Sequence, residues 1–122
     1  MVETKLAQKH CAPCQGGTPP LQGAELDRFY DQLEGDWRMV ARHHLDREFH
    51  LHDFREALDF TNALGEIAER EGHHPDILLS WGKVRVTIFT HKIDGLTESD
   101  FVLAAKYDEL WRTAWSASAK PR

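Results

Sequence analysis

Long apolar runs are missing from this chain. Nowhere do its 122 residues string together the roughly 18 apolar side chains that a membrane-spanning helix needs, so no membrane association is expected. An excess of positive charge is missing too. Fifteen Lys and Arg face twenty Asp and Glu, a formal net charge of -5. Nucleic acid is therefore not an expected partner, because phosphate binding rests on clustered cations. Cysteine is scarce, with only Cys11 and Cys14, and Met1 to His10 lacks the apolar stretch of a secretory leader. The expectation is a cytoplasmic protein with reduced thiols. What remains is 41% hydrophobic and 29% charged, the composition of a folded chain rather than a disordered one. The length suits one domain and a single modest core, which subunit association would help stabilise.

Residues 1 to 22 hold both cysteines, three of the five prolines and the pair Gly16-Gly17, and they read as an irregular arm. Residues 23 to 116 form the expected domain, and 117 to 122 a frayed tail. From Ala24 to Glu34, Leu26, Phe29, Tyr30 and Leu33 fall at helical spacing, with Gly35 as the stop. Trp37 to Ala41 and Leu45 to Leu51 alternate like two antiparallel strands. Asp53 is a natural N-cap for a long helix to about Glu71, with a stripe of Phe54, Ala57, Leu58, Thr61, Leu64, Ile67 and Ala68. Gly72 supplies a left-handed cap, and Pro75 forbids continuation. Ile77 to Trp81 and Val84 to Thr90 read as a hairpin turning at Gly82-Lys83. Thr97 to Asp100 is a capping box opening a last helix that carries Phe101, Ala104, Ala105, Leu110, Trp111 and Trp115. The order α-β-β-α-β-β-α predicts an α+β two-layer sandwich, a four-stranded antiparallel sheet with three helices on one face.

One stretch carries the chemistry. His73 and His74 end the long helix, and Glu69 lies one turn before them. His91 ends the second strand of the hairpin that begins just after Pro75. An antiparallel hairpin returns its end to the level of its start, so His91 should come back beside His73 and His74. Asp100 follows in the next helical turn. Imidazoles exchange protons near neutral pH, and three of them with carboxylates, and no Ser or Cys nucleophile alongside, suggest general acid/base chemistry. A solvated cluster at a helix C-terminus is the bland alternative. Three histidines also suggest zinc, but these three lack His-x-His or His-x-x-x-His spacing, and the expectation is no metal.

The pattern Glu69-x-x-x-His73-His74-Pro75, aromatic Trp81, Thr90-His91 and Gly95-Leu96-Thr97-Glu98-x-Asp100 resembles the pterin-4a-carbinolamine dehydratase family over roughly Trp37 to Leu110. The resemblance implies the same α+β sandwich, a homodimer or homotetramer built partly by joining sheets, and no cofactor. It implies a small-molecule pterin substrate: removal of water from 4a-hydroxytetrahydropterin to give quinonoid dihydropterin, in support of pterin recycling. By position, His73 and His91 would be the acid/base pair, His74 would bind or orient the pterin, and Glu69 would assist electrostatically. Asp100 would orient a histidine while capping its helix. Gly72, Pro75, Trp81 and Thr90 would be substrate-binding positions. Two positions depart from the family pattern: Gly72 stands where many relatives have an acid, and Ile77 where many have an aromatic. The rival implication is a non-catalytic assembly factor that binds a protein partner through the same scaffold.

Four other features stand apart. Cys11-x-x-Cys14 next to His10 is half of a zinc or redox motif, but no second half exists. His50 and His52 would share a sheet face and solvent. His43-His44 sit in a turn with no further signal. Trp111 and Trp115 form an i, i+4 pair, the first suited to the core and the second to the core or a subunit contact.

Overall fold

The structure is a computed structural model, and it describes residues 5–12 and 19–115. The expected tail at 117 to 122, Cys14 and Gly16-Gly17 lie outside the described residues. Three α-helices and four strands follow one another as α1 (Gly23–Asp31), β1 (Arg38–Val40), β2 (His44–His50), α2 (Phe54–Glu71), β3 (Asp76–Ser80), β4 (Lys83–Ile88) and α3 (Glu98–Leu110). The sheet is antiparallel throughout, in the order β1-β2-β4-β3. This is the expected α+β sandwich.

Strand alternation divides the sheet. Leu45, Phe49, Val84, Val86 and Ile88 point toward the helices and are buried, and Leu45 pairs with Ile88 and Phe49 with Val84 across β2 and β4. The opposite face is polar but holds one buried charge. Asp46 is 1% exposed. It accepts two hydrogen bonds from Arg85 at 3.0 and 2.9 Å, one from Arg38 at 3.0 Å and one from Thr87 at 3.2 Å. Burial alone would push this carboxyl up, but the donors from Arg85, Arg38 and Thr87 outweigh it and hold it below the usual carboxylate range.

α2 begins where Asp53 accepts the Glu56 N–H at 2.9 Å. Its buried stripe is Ala57, Phe60, Leu64, Ile67 and Ala68. Phe60, absent from the expected stripe, lies at its centre, whereas Phe54 is 45% exposed. Spacings of four and three residues back from Leu64 select Phe60 and Ala57, whereas Phe54 is the first residue of α2 and stands at its exposed end. α3 is apolar around most of its circumference, so it needs cover from more than one side. Tyr107 donates to the Leu64 carbonyl of α2 at 3.0 Å, and Phe29 of α1 stacks on Phe101 with centroids 5.7 Å apart. The arm supplies the rest. Leu6–Gln8 form a 3-10 turn that buries Leu6 on α3, and Lys106 donates to the Ala7 carbonyl at 2.8 Å. A π-type turn over Trp111–Trp115 extends α3 and brings both tryptophans to Phe60, with centroids 5.3 Å away in each case.

Two expected turns are corrected. α1 ends at Asp31, before Gly35, because Gly35 serves packing rather than helix termination. A Cβ there would sit 2.0 Å from Arg47 Nη1 and 2.4 Å from Asp108 Oδ1. The space it leaves lets Trp37 Nε1, Arg47 and the Gly35 N–H converge on Asp108 at 2.6, 2.5 and 3.2 Å. The β3–β4 turn is Trp81-Gly82, one residue earlier than expected, since Ser80 pairs with Lys83. Gly82 therefore occupies the second turn position, where φ is +70°. Strand β2 stops at His50, and His52 lies beyond it, hydrogen-bonded to Glu56 at 3.0 Å.

Candidate active site

The C-terminus of α2 fixes the first imidazole. Gly72 adopts φ +66°, the His73 N–H reaches back to the Ala68 carbonyl at 3.2 Å, and the Gly72 N–H to Glu69 at 3.3 Å. This pair of bonds is a Schellman closure, and it sets the exit direction of the chain at His73. The start of α3 fixes the partner. Asp100 is the third residue after the N-cap Thr97, and its Oδ2 accepts the Thr97 N–H at 2.7 Å and the Thr90 hydroxyl at 2.8 Å. Its Oδ1 then meets His73 Nε2 at 2.6 Å. Asp100 is fully buried, and the His73 side chain is 11% exposed. With Asp100 accepting, Nε2 carries the proton in the neutral ring and Nδ1 keeps its lone pair.

His74 and His91 have carboxylates of their own. His74 Nε2 lies against Glu69 Oε2, both side chains exposed. His91 Nε2 stands 3.7 Å from Asp76 Oδ2, and its ring is 4.1 Å from that of Phe89. Thr90, which precedes His91, is 3% exposed and exchanges backbone hydrogen bonds with Gly95 at 2.8 and 3.4 Å, closing the loop that carries His91. Thus Glu69, His73, His74, Thr90, His91 and Asp100 gather at one end of the sheet, joined by Pro75 and the first residue of β3. Among the described residues, none of the three imidazoles stacks on or hydrogen-bonds another. They form three imidazole–carboxylate pairs rather than one triad, an arrangement able to accept a proton at one point and deliver one at another.

Trp81 is not part of this group. It occupies the turn at the far end of β3 from Asp76, about 16 Å away at the usual strand rise, and is 64% exposed. The aromatic beside His91 is Phe89. β4 stops at Ile88, and His91 opens a 3-10 turn instead of ending the strand as expected, so strand alternation does not relate Phe89 to His91. His43 of the β1–β2 turn and His44, which opens β2 rather than sitting in the turn as expected, also gather here, with ring centroids 4.8 and 6.3 Å from Phe89.

Burial, then the nearby Glu71, pushes the Cys11 thiol up to about 12, and its Sγ contacts the Ser99 carbonyl at 3.5 Å. The Cys11 N–H donates to Glu71 at 2.9 Å and the Ala12 N–H to Ser99 Oγ at 2.9 Å. The arm therefore bridges the end of α2 to the start of α3, next to His73 and Asp100 respectively. Among the described residues, no three His, Cys, Asp or Glu side chains are grouped to hold a metal ion, and no helix is long and apolar enough to cross a membrane.

An α+β sandwich with histidine–carboxylate pairs at one end of its sheet is the framework of a small acid/base catalyst or ligand-binding domain. The chain belongs to the pterin 4 alpha carbinolamine dehydratase family, whose sequence pattern matches residues 19–110. Two provisionally named pterin-4-alpha-carbinolamine dehydratases are each 60% identical to it. That of Alkaliphilus metalliredigens aligns over 104 residues, 85% of this chain and 94% of the relative. That of Rubrobacter xylanophilus aligns over 107 residues, 88% and 99%. A crystal structure of a transcriptional coactivator/pterin dehydratase from Brucella melitensis superposes with a TM-score of 0.67 at 30% identity, covering 75% of this chain and 97% of that one.

Proposed function

We propose that this protein dehydrates pterin-4a-carbinolamine to quinonoid dihydropterin, in support of pterin recycling. The observation that carries the reading is the buried His73–Asp100 pair, which fixes one imidazole with a free lone pair at Nδ1. In the reaction the C4a–O bond breaks and the oxygen leaves as water. The N5 proton departs, and the N5 electron pair closes the new C4a=N5 bond. No electrons are gained or lost overall. His73 and His91 are the proton-transfer pair, one taking the N5 proton and one protonating the departing hydroxyl. His74, steered by Glu69, contacts the pterin edge, and Thr90 helps hold Asp100 in place. Gly72 and Pro75 set the path of the chain on either side of His73 and His74.

The family's names support the substrate class, and the Brucella neighbour's name adds a coactivator role for that protein. A partner-binding role for this chain is the second reading, favoured by the 57% exposed Leu78 on the edge strand β3. Mixing the protein with chemically generated 4a-hydroxytetrahydropterin separates the two. Dehydration should outrun the buffer reaction by about a hundredfold, and a rate equal to buffer would leave only the second reading.

A further inference from the structure

The His73–Asp100 hydrogen bond joins residues carried by two different helices, and the arm runs between those helices. We infer that Glu71 and Ser99 are positioning residues for that pair, tied together through the consecutive amides of Cys11 and Ala12, so that the end of α2 and the start of α3 keep the spacing the bond requires. The inference rests on the dehydratase reading and adds to it two residues that act through His73 and Asp100.

Three observations carry it. First, the anchors flank the pair. Glu71 stands two residues before His73, and Ser99 one residue before Asp100. The Glu71 side chain is 3% exposed and Ser99 is 7% exposed, so both anchors are shielded from competing water. Second, adjacent backbone groups hold them. The Cys11 N–H donates to Glu71 Oε1 at 2.9 Å and the Ala12 N–H to Ser99 Oγ at 2.9 Å, and the Ser99 hydroxyl donates back to the Ala12 carbonyl at 3.2 Å. Consecutive amides lie within about 4 Å of each other, so a shift of one helix end pulls on the other. Third, neighbouring contacts lock this part of the arm in register. Lys106 reaches the Ala7 carbonyl at 2.8 Å and lies 3.9 Å from Glu71 Oε2, and Lys9 meets Glu98 at 2.7 Å.

The helices themselves leave this job undone. The hydrogen bond from Tyr107 of α3 to the Leu64 carbonyl of α2 lies seven residues beyond Asp100 and seven before Glu71, about 10 Å of helix in each case. It governs how the two helices pack, not how far apart these two ends stand. The capping box fixes Asp100 within its own helix, and the left-handed Gly72 fixes the exit to His73, but neither spans the gap between them. Misplacing a reacting group by about 1 Å costs up to about a hundredfold in rate. Cys11 and Ala12, the arm's half of the tie, precede the residues that match the family pattern.

Ser99→Ala, Glu71→Ala and the double variant are compared with the wild type by steady-state dehydration of 4a-hydroxytetrahydropterin and by proton NMR of the His73 imidazole N–H, a signal identified by its loss in His73→Gln. Asp53→Ala is the control. It removes the N-cap at the far end of α2 and lowers the melting temperature without touching the tie. Each single variant should lower kcat about tenfold with KM little changed, and should move the His73 N–H signal upfield as its bond to Asp100 lengthens. A tie is broken by cutting either end, so the double variant should be no slower than the single ones. Glu71→Gln keeps an acceptor oxygen and should recover part of the loss, and it replaces Glu71→Ala if thermal melts show that variant unfolded. Asp53→Ala should leave kcat and the signal unchanged. Unaltered kcat and signal in the single variants, losses that multiply in the double variant, or an equal loss in Asp53→Ala would overturn the tie while leaving the dehydratase reading intact. A wild type that does not dehydrate the carbinolamine would remove that reading, and the position of the His73 signal across the same variants would still decide the tie.

Discussion

Asp100 does two jobs with one carboxylate, and the two can be separated by substitution. Asp100→Asn keeps the shape but turns one acceptor into a donor, which misaligns the His73 tautomer. We expect a fall in kcat of at least about tenfold, together with a loss of about 1 kcal/mol from the weakened cap, read by steady-state kinetics and thermal melts. Thr97→Ala removes only the cap hydroxyl and should lower stability with kcat unchanged. Asp46 gives a pH prediction on the opposite face of the sheet. Its folded pKa lies below the unfolded value. Its stabilisation is therefore complete above the ordinary carboxylate range and drains away as pH falls through the lowered value. Asp46→Asn should cost about 1 kcal/mol at neutral pH and flatten the acid limb of the stability curve measured by urea titration. A variant curve parallel to the wild type would contradict this. At this scale the sequence displayed His73, His91 and Asp100 because short, local motifs carry them. Asp76 and His43 are not visible there because their placement depends on which strands and turns meet, and Phe89 because no motif marks it. Trp81 is aromatic and lies within the motif, but its place in the hairpin turn sets it a full strand away from His91.

Among the elements, α2 was the most legible, since Asp53, the apolar spacing and Gly72 mark both ends and one face in the sequence itself. Gly35 looks like a helix stop in the sequence, but its role is set by Arg47 and Asp108, partners distant in sequence that no local pattern reveals. Gly35→Ala should destabilise the fold by about 1–3 kcal/mol through overpacking at that contact. Gly72→Ala puts a Cβ on a left-handed residue and should cost about 1 kcal/mol. The same substitution shifts the backbone of His73, so kcat should fall with stability. The described part of the arm has one 3-10 turn and is docked through Glu71 and Ser99. Burial would raise Glu71, but the Cys11 N–H, His10 and Lys106 hold it below the ordinary range, the mark of a built-in contact. Glu71→Gln should loosen that bridge and show faster amide exchange at the start of α3 in hydrogen-exchange measurements. Unchanged exchange there would mean the bridge adds no rigidity.

For the whole molecule, the α+β order was readable because hairpins and helices alternate cleanly along the chain, whereas the strand order β1-β2-β4-β3 requires knowing which hairpin edges meet. That order leaves β1 and β3 as edges, and β3 presents Leu78 to solvent. Exposed edges invite pairing with another copy, and a core of this size gains from it. We propose a homodimer, and sedimentation showing only monomer at micromolar concentration would count against it. The central claim is that His73 and His91 move the protons of a pterin dehydration, and stopped-flow absorbance of 4a-hydroxytetrahydropterin decay reads it most directly. Decay with wild-type protein should be well above the buffer rate and at least about tenfold slower in both His73→Ala and His91→Ala. Wild-type rates in both variants would contradict the account.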